Sequence, residues 1–311
     1  MSEIKCKTIA LTGATGFVGK HVLTRLLQGG YRVNVLTRDP KRLILADRKM
    51  TVVQGNLANN QALAKLTQGA DCVLHLAGII HQKTNQGQTY QQVHLQGVKN
   101  LIAAAKQAHV KRWIQMSALG ARANATSQYH QTKWAAEESL RQSPFDLTIF
   151  RPSVIHGPES ALIEMIQKLW SSPFPPFIIP YFGDGFLGNA PSGLIQPVLI
   201  DDVARCLVNS IQMKPSIGET YCLGGPEKMN WPEFYSACRL GLENAKNKKI
   251  LAVPAWKAKI IAKFPGAPFN QDQVIMSLEN SICDIHKTEQ AFDIKMTKFA
   301  ESYAQYVKLK S

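Results

Sequence analysis

Tyr129 and Lys133, in the stretch YHQTK, stand four residues apart in a chain of 311. On a helix that spacing puts both side chains on one face. A free phenol with a pKa near 10 is only about 0.1% ionised at neutral pH, so it is a poor acid or base by itself. A neighbouring ammonium favours the phenolate, and such a pair can give and take a proton during catalysis. A second Y-x-x-x-K, Tyr306 and Lys310, lies near the end of the chain, so spacing alone does not define the site. Position does: the first pair opens a helix that follows a fifth apolar strand.

A second chemical signal is TGATGFVGKH, residues 12–21, where Gly13, Gly16 and Gly19 repeat every third residue. The apolar run KTIALTG precedes it, and Phe17, Val18, Val22, Leu23, Leu26 and Leu27 follow at helical spacing, which predicts a strand, a tight turn and a helix. In the dinucleotide-binding form of this turn one glycine makes the bend, one admits a pyrophosphate, and one lets helix and strand pack closely. The amides of the helix N-terminus then face the phosphates. The second strand, about residues 31–37, ends in Thr37 and Arg38 where a NAD-binding unit would place an acid. A guanidinium there grips a 2′-phosphate, so the sequence predicts NADP(H) in preference to NAD(H). Lys133 is then also placed to hold the nicotinamide ribose.

The elements that must carry these residues alternate. MTVVQGNL, NQALAKLTQG, ADCVLHLAG, a helical stretch to about Val110, KRWIQMSALGA, YHQTKWAAEESLRQ and FDLTIFRPS read as strand and helix in turn. The predicted fold is α/β, a Rossmann-type doubly wound parallel sheet with its ligand at the carboxyl ends of the strands, plus a smaller C-terminal lobe. Residues 1–157 form the nucleotide-binding domain in this reading, with 196–224 returning to it, and 158–311 mostly form the lobe. SSPFPPFIIPYFGDG, residues 171–185, reads as an irregular lid or pocket wall. In NKKILAVPAWKAKIIAKF, Trp256, Ile260 and Phe264 recur at i, i+4 and i+8 among lysines. Two readings stay open there: a lobe helix burying the stripe against the core, which comes first, and an amphipathic segment on a membrane surface.

Composition narrows the classes. The chain is 45% hydrophobic, so it can bury a large core, and no stretch has the roughly 20 apolar residues of a membrane span. With no signal-peptide core at the N-terminus, a cytoplasmic protein is expected, peripheral to the inner membrane face if the basic segment binds lipid. Six cysteines without a C-x-x-C pair predict neither disulfides nor a metal site. The net charge of +14 is uneven: residues 1–157 hold 20 Lys and Arg against 7 Asp and Glu, and the remainder 16 against 15. Such a field suits an anionic cofactor or substrate. Aromatic residues at 8%, not interleaved with the basic ones, argue against nucleic acid. His75 reads as a core histidine, His81 and His156 lie near strand ends, and His94 and Asn100 read as packing or loop-bonding residues.

Taken with LAG at 76–78, RPSVIHGP at 151–158 and QPVLIDDVA at 196–204, these motifs resemble the short-chain dehydrogenase/reductase superfamily over most of residues 7–225. The chain is most similar to the extended or atypical branch, which also holds NAD-dependent epimerases and dehydratases. MSALGA and PFNQDQVIMSLEN are similar to the nucleotide-binding accessory subunits of respiratory complex I and their bacterial relatives. The resemblance implies that Gly13, Gly16 and Gly19 bind pyrophosphate, Arg38 the adenosine phosphate, and Thr15, Phe17, Leu57, Ala77 and Gly78 the rest of the cofactor. Tyr129 and Lys133 take the catalytic positions. Two departures stand out. The family's catalytic Ser or Thr lies a residue or two beyond the first serine of a run that here reads Ser117, Ala118, Leu119, so Ser117 is the remaining candidate. The acid often found near the adenine is Asn56, which keeps hydrogen bonding without charge.

The expected function is an NADP(H)-binding oxidoreductase acting on a hydroxyl or carbonyl of a small, quinone-related metabolite. The alternatives are an epimerase or dehydratase of the sugar-nucleotide type, and a non-catalytic NADPH-binding accessory factor of a respiratory or quinone-synthesising assembly.

Overall fold

The computed structural model describes residues 6–175, 177–189, 193–264 and 266–308. The chain runs through β1 (Thr8–Thr12), α1 (Phe17–Gln28), β2 (Arg32–Thr37), β3 (Met50–Gln54), α2 (Asn60–Thr67), β4 (Cys72–His75) and α3 (Gly97–Gln107). It continues with β5 (Arg112–Met116), α4 (Gln128–Arg141), β6 (Asp146–Pro152), β7 (Ile155–His156), α5 (Ala161–Ser171), β8 (Ile178–Gly183), β9 (Val198–Leu199) and α6 (Ile200–Asn209). The remaining elements are β10 (Thr220–Leu223), α7 (Trp231–Arg239), β11 (Lys249–Pro254), α8 (Ala255–Ile261), α9 (Gln271–Leu278), α10 (His286–Phe292) and α11 (Phe299–Lys308).

These elements divide into two units. The first takes the chain up to Pro152 together with Ile200–Cys222 and Lys287–Ile294. The second takes Ser153–Leu199, Leu223–His286 and the chain from Lys295. The sequence reading puts the boundary at 157 and the return at 196–224. In the structure the boundary falls at the end of β6, the return starts with α6, and most of α10 joins as a third piece. That piece is a single short helix, held by Phe292 against Phe150 and Tyr221, and carries no pattern of its own.

In the first unit seven parallel strands stand in the order β10-β6-β5-β4-β1-β2-β3, the expected doubly wound sheet. All five residues of β1 and all four of β4 are buried, as strands covered by helices on both faces must be. The α1 stripe of Val18, Val22, Leu23, Leu26 and Leu27 is buried, and Leu63, Leu66, Leu101 and Ile102 from α2 and α3 share one core with Trp113 of β5. Strand order reverses between β1 and β4, which opens a crevice beyond their carboxyl ends. The buried Arg112 pins the far side of the sheet. Its Nη2 donates to Thr148 Oγ1 (2.6 Å), Ser210 O (2.8 Å) and Ser216 Oγ (2.7 Å), tying β5 to β6 and to the segment between α6 and β10.

The second unit is built around Ile163, Ile166, Trp170, Phe234, Phe299 and Tyr303. Residues 171–185 are not an irregular lid throughout: they contain β8, which pairs in parallel with β11. The sequence hides this strand because Pro180 and the preceding prolines break the propensity pattern, while only Ile179 and Gly183 of its six residues are buried. α8 also departs from the first reading of its stripe. Ala255 and Ala258 face the core, with Val274, and Trp256, Ile260 and Phe264 are 43%, 49% and 66% exposed. Of the second Y-x-x-x-K, Tyr306 is buried and Lys310 lies outside the described residues. No helix among the described residues is long and apolar enough to cross a membrane.

Candidate active site

The glycine turn sits where the strand order reverses. Gly13 follows β1 with φ +79, a left-handed conformation in which a side chain is strained. A Cβ on it would lie 2.7 Å from the Ala77 nitrogen, in the segment that follows β4. On Gly19 a Cβ would meet the Gly13 carbonyl at 2.0 Å, so this residue sets the close approach of α1 to the turn. Gly16 is exposed, and there the nearest atom to an added Cβ is the Gly13 oxygen at 3.3 Å, which leaves its outer side open. It caps α1 without a side-chain hydrogen bond, and the first turn of α1 has no acid. Bend, packing and open approach are thus divided among three glycines as a pyrophosphate cradle requires, and the residues fit a dinucleotide. Thr15 and Phe17 are half-buried in and just beyond this turn.

Arg38 is exposed directly after Thr37, the last residue of β2, and makes no ion pair among the described residues. Asn56 is exposed beyond β3, and its Oδ1 accepts from the Ala58 amide at 2.9 Å, so the loop uses part of its bonding capacity. Leu57 packs against the first turn of α3: a Cβ on Gly97 would lie 2.8 Å from its Cδ1, and Asn100 Nδ2 donates to the Leu57 carbonyl at 2.9 Å. The expected bonding role of Asn100 is therefore present.

Ser127 caps α4 by accepting from the His130 amide at 3.2 Å, which sets Tyr129 and Lys133 on the first two turns. Lys133 is buried, and its Nζ donates to the Met116 carbonyl at the end of β5 (3.3 Å). A Cβ on Gly78 would lie 3.2 Å from that Nζ. The helix after β5 and the segment after β4 thus meet at one ammonium. Burial lowers Lys133 to about 8, opposed by the Glu137 carboxylate one turn further along. Ser117, next after Met116, has a buried Oγ with no hydrogen-bond partner among the described residues.

Tyr129 and Lys133 stand side by side, as their spacing predicts. Nζ lies 6.0 Å from the tyrosine ring centroid and uses one of its three donors on the Met116 carbonyl. Burial, with Tyr90 alongside, raises the phenol to about 12.

Sequence reasoning missed the group that seats this tyrosine. Residues Gln91–Gln96 form a π-helical turn ahead of α3, a spacing that amphipathic periodicity does not register. It puts His94 edge-on to Tyr129 (5.2 Å between centroids) and stacked on Tyr90 (5.4 Å). His94 Nε2 accepts from the Ile79 amide (3.1 Å), so Nδ1 carries the proton and donates to Thr132 Oγ1 (3.1 Å). Burial, with Lys133 next to it, lowers this imidazole to about 2, and it stays neutral. Glu137, fully buried, holds Arg151 through bonds of 2.9 and 2.6 Å, joining α4 to β6, so Arg151 anchors the end of that strand. His75 is a satisfied core residue, bonded through Nδ1 to Thr12 Oγ1 at 2.8 Å. Among the described residues no cluster of His, Cys, Asp and Glu could hold a metal ion, and all six cysteines are free thiols.

A family profile described as NAD(P)H-binding matches residues 13–169, just over half of the chain. Ceramide reductase of Caulobacter vibrioides is 36% identical over 172 residues, 55% of this chain and 53% of that protein. The mitochondrial NADH dehydrogenase (ubiquinone) 1 alpha subcomplex subunit 9 of Arabidopsis thaliana is 29% identical over 224 residues, 69% of this chain and 53% of its own. The chain spans about half the length of these curated relatives. Among solved structures, the UDP-glucose 4-epimerase of Thermus thermophilus in complex with NAD superposes with a TM-score of 0.75 at 18% identity, covering 97% of this chain and 98% of that one. This last likeness speaks to the fold. With the glycine cradle and the profile match over the same segment, the chain belongs to the NAD(P)H-binding family.

Proposed function

We propose that the protein is an NADP(H)-dependent oxidoreductase that interconverts a carbonyl and a hydroxyl group on a small metabolite. The observation carrying this reading is the buried Lys133 beside Gly78 and Tyr129, with the phenol at about 12. When bound, the nicotinamide would supply the hydride. Tyr129 Oη would give its proton to the substrate oxygen as that oxygen gains charge. Ser117 Oγ, which has no hydrogen-bond partner among the described residues, would hold the same oxygen by a hydrogen bond. Lys133 would hold the ribose and His94 would keep Tyr129 in place. Arg38, which makes no ion pair among the described residues, would favour the 2′-phosphate of NADP(H).

The test is calorimetric titration with NADPH and NADH, followed by turnover on aldehydes, ketones, quinones and nucleotide-sugars. NADPH should bind more tightly than NADH, with the preference falling about tenfold or more in Arg38→Ala. Tyr129→Phe should lose about a hundredfold in kcat with NADPH affinity unchanged. Full turnover in Tyr129→Phe would overturn the assignment. An epimerase or dehydratase of the same fold would instead recycle a tightly held cofactor without net reduction.

A second reading is favoured by the Ser117-Ala118-Leu119 departure and by the match to a complex I subunit. In it the chain binds NADPH without turnover and serves a respiratory or quinone-synthesising assembly. NADPH binding with no turnover on any of those substrates would select it.

A further inference from the structure

We propose that the second unit carries a docking surface for an anionic lipid bilayer, formed by Phe186, Leu187, Trp256, Ile260 and Phe264 and ringed by lysines. It is independent of the reaction proposed above. The first observation is the side of α8 that faces out. Its two small residues, Ala255 and Ala258, are buried, while Trp256, Ile260 and the following Phe264 are exposed. An amphipathic helix that simply covers a core does the reverse, so this helix has its large apolar residues in water.

The loop after β8 joins the same surface. Phe186 is 78% and Leu187 69% exposed. The Phe186 ring is stacked on Trp256 at 5.9 Å between centroids, and Trp256 Nε1 donates to the Phe186 carbonyl at 3.0 Å. The two segments therefore present one fixed aromatic pair. Exposed apolar groups that are this large and adjoin one another mark an interaction site.

Charge chooses the occupant. Between Glu243 and Asp272 the chain has six lysines and no acid, and Lys257, Lys259 and Lys263 are interleaved with the apolar residues of α8 and the turn after it. None of those three forms an ion pair among the described residues, and Lys257 lies over the Trp256 ring at 5.3 Å. Asp184, exposed two residues before Phe186, is the acid in the loop. Lysine stems can lie along apolar surface with their ammonium groups at the headgroup level, while an indole occupies the boundary between headgroups and acyl chains. A bilayer with anionic headgroups matches this order of apolar centre and cationic rim.

The test is flotation of the full chain with phosphatidylglycerol-containing vesicles and with pure phosphatidylcholine vesicles, at low and high salt, with tryptophan quenching by brominated acyl chains. We expect flotation with the anionic vesicles, weakened about tenfold by high salt. Ile260→Asp and the triple change Lys257→Glu, Lys259→Glu, Lys263→Glu should each abolish it, with NADPH affinity unchanged as the check on folding. Quenching should disappear in Trp256→Phe, which leaves four other tryptophans. No flotation at low salt, equal and salt-insensitive binding to phosphatidylcholine, or quenching that persists in Trp256→Phe would each overturn the proposal. So would a dimer in solution that Ile260→Asp dissociates, since the surface would then be covered by a second copy.

Discussion

Lys133 is charged inside the protein, and its ordinary value of 10.5 is lowered to about 8 by burial. Below pH 8 both folded and unfolded chains hold the proton, and the folded state bears the whole cost of the buried ammonium. Between 8 and 10.5 the unfolded chain holds a proton that the folded chain has released, so this group makes stability rise with pH over that window. A shift of this size corresponds to roughly 3 kcal/mol. Lys133→Met should therefore stabilise the protein at pH 7 by on the order of 1–3 kcal/mol, with the gain fading toward pH 10.5, while turnover is lost. Urea unfolding of both proteins at pH 7 and pH 10 reads it, and a variant equally destabilised at the two pH values would contradict it. The Tyr129 and Lys133 pair was legible because helical spacing joins residues four apart. Its electrostatics were not, because burial of the phenol and the Met116 carbonyl are tertiary facts. His94 was illegible as a neighbour of Tyr129 for a different reason: the wide turn at Gln91–Gln96 breaks the period on which sequence reading depends.

Among the elements, the strand, turn and helix of residues 8–28 separate folding from ligand binding. A methyl group on Gly19 would overlap the Gly13 carbonyl, which backbone cannot relieve without moving α1 away from the turn. Gly19→Ala should cost about 3 kcal/mol or more and lower the melting temperature of the apoprotein. On Gly16 the same methyl group points toward the open side of the turn, so Gly16→Ala should melt within a few degrees of the parent yet bind NADPH about tenfold or more weakly. Paired thermal melts and titrations test both, and a Gly16→Ala protein that loses stability as Gly19→Ala does would remove the distinction. This element could be read from sequence because three constraints act within a dozen residues. β8 could not, since its partner β11 is about seventy residues away and its prolines speak against a strand. In α8 the apolar period was read correctly and its direction was not, because a stripe of Trp256, Ile260 and Phe264 has the same period whether it faces the core or the solvent.

Of the four buried histidines, His75, His94 and His156 link the stability of the protein to pH. In the first unit burial lowers His75 to about 3 and His94 to about 2, with Lys133 adding to both. In the second unit His156, enclosed by Phe299 and Tyr306, is lowered to about 3 by burial. Each is neutral when folded, whereas the unfolded chain takes up a proton at each as pH falls through 6.5. Their contribution is thus complete above 6.5 and is lost progressively as pH drops toward 3. Near pH 5 three protons taken up by the unfolded chain make stability fall by up to about 4 kcal/mol per pH unit, a large part of the roughly 5–15 kcal/mol of a typical domain. Self-repulsion at a net charge of +14 acts in the same direction, so the histidine part has to be isolated by substitution. His75→Asn, which keeps a hydrogen-bonding group for Thr12, and His156→Asn should each reduce the fall in urea-unfolding free energy between pH 6.5 and 5, by up to about 1.4 kcal/mol per pH unit. The first should act on unfolding of the first unit and the second on that of the other, which separate fluorescence reporters at Trp113 and Trp170 can follow. A parent protein equally stable at pH 7 and pH 5 would refute the argument, because three neutral, buried imidazoles cannot be carried to pH 5 without that loss.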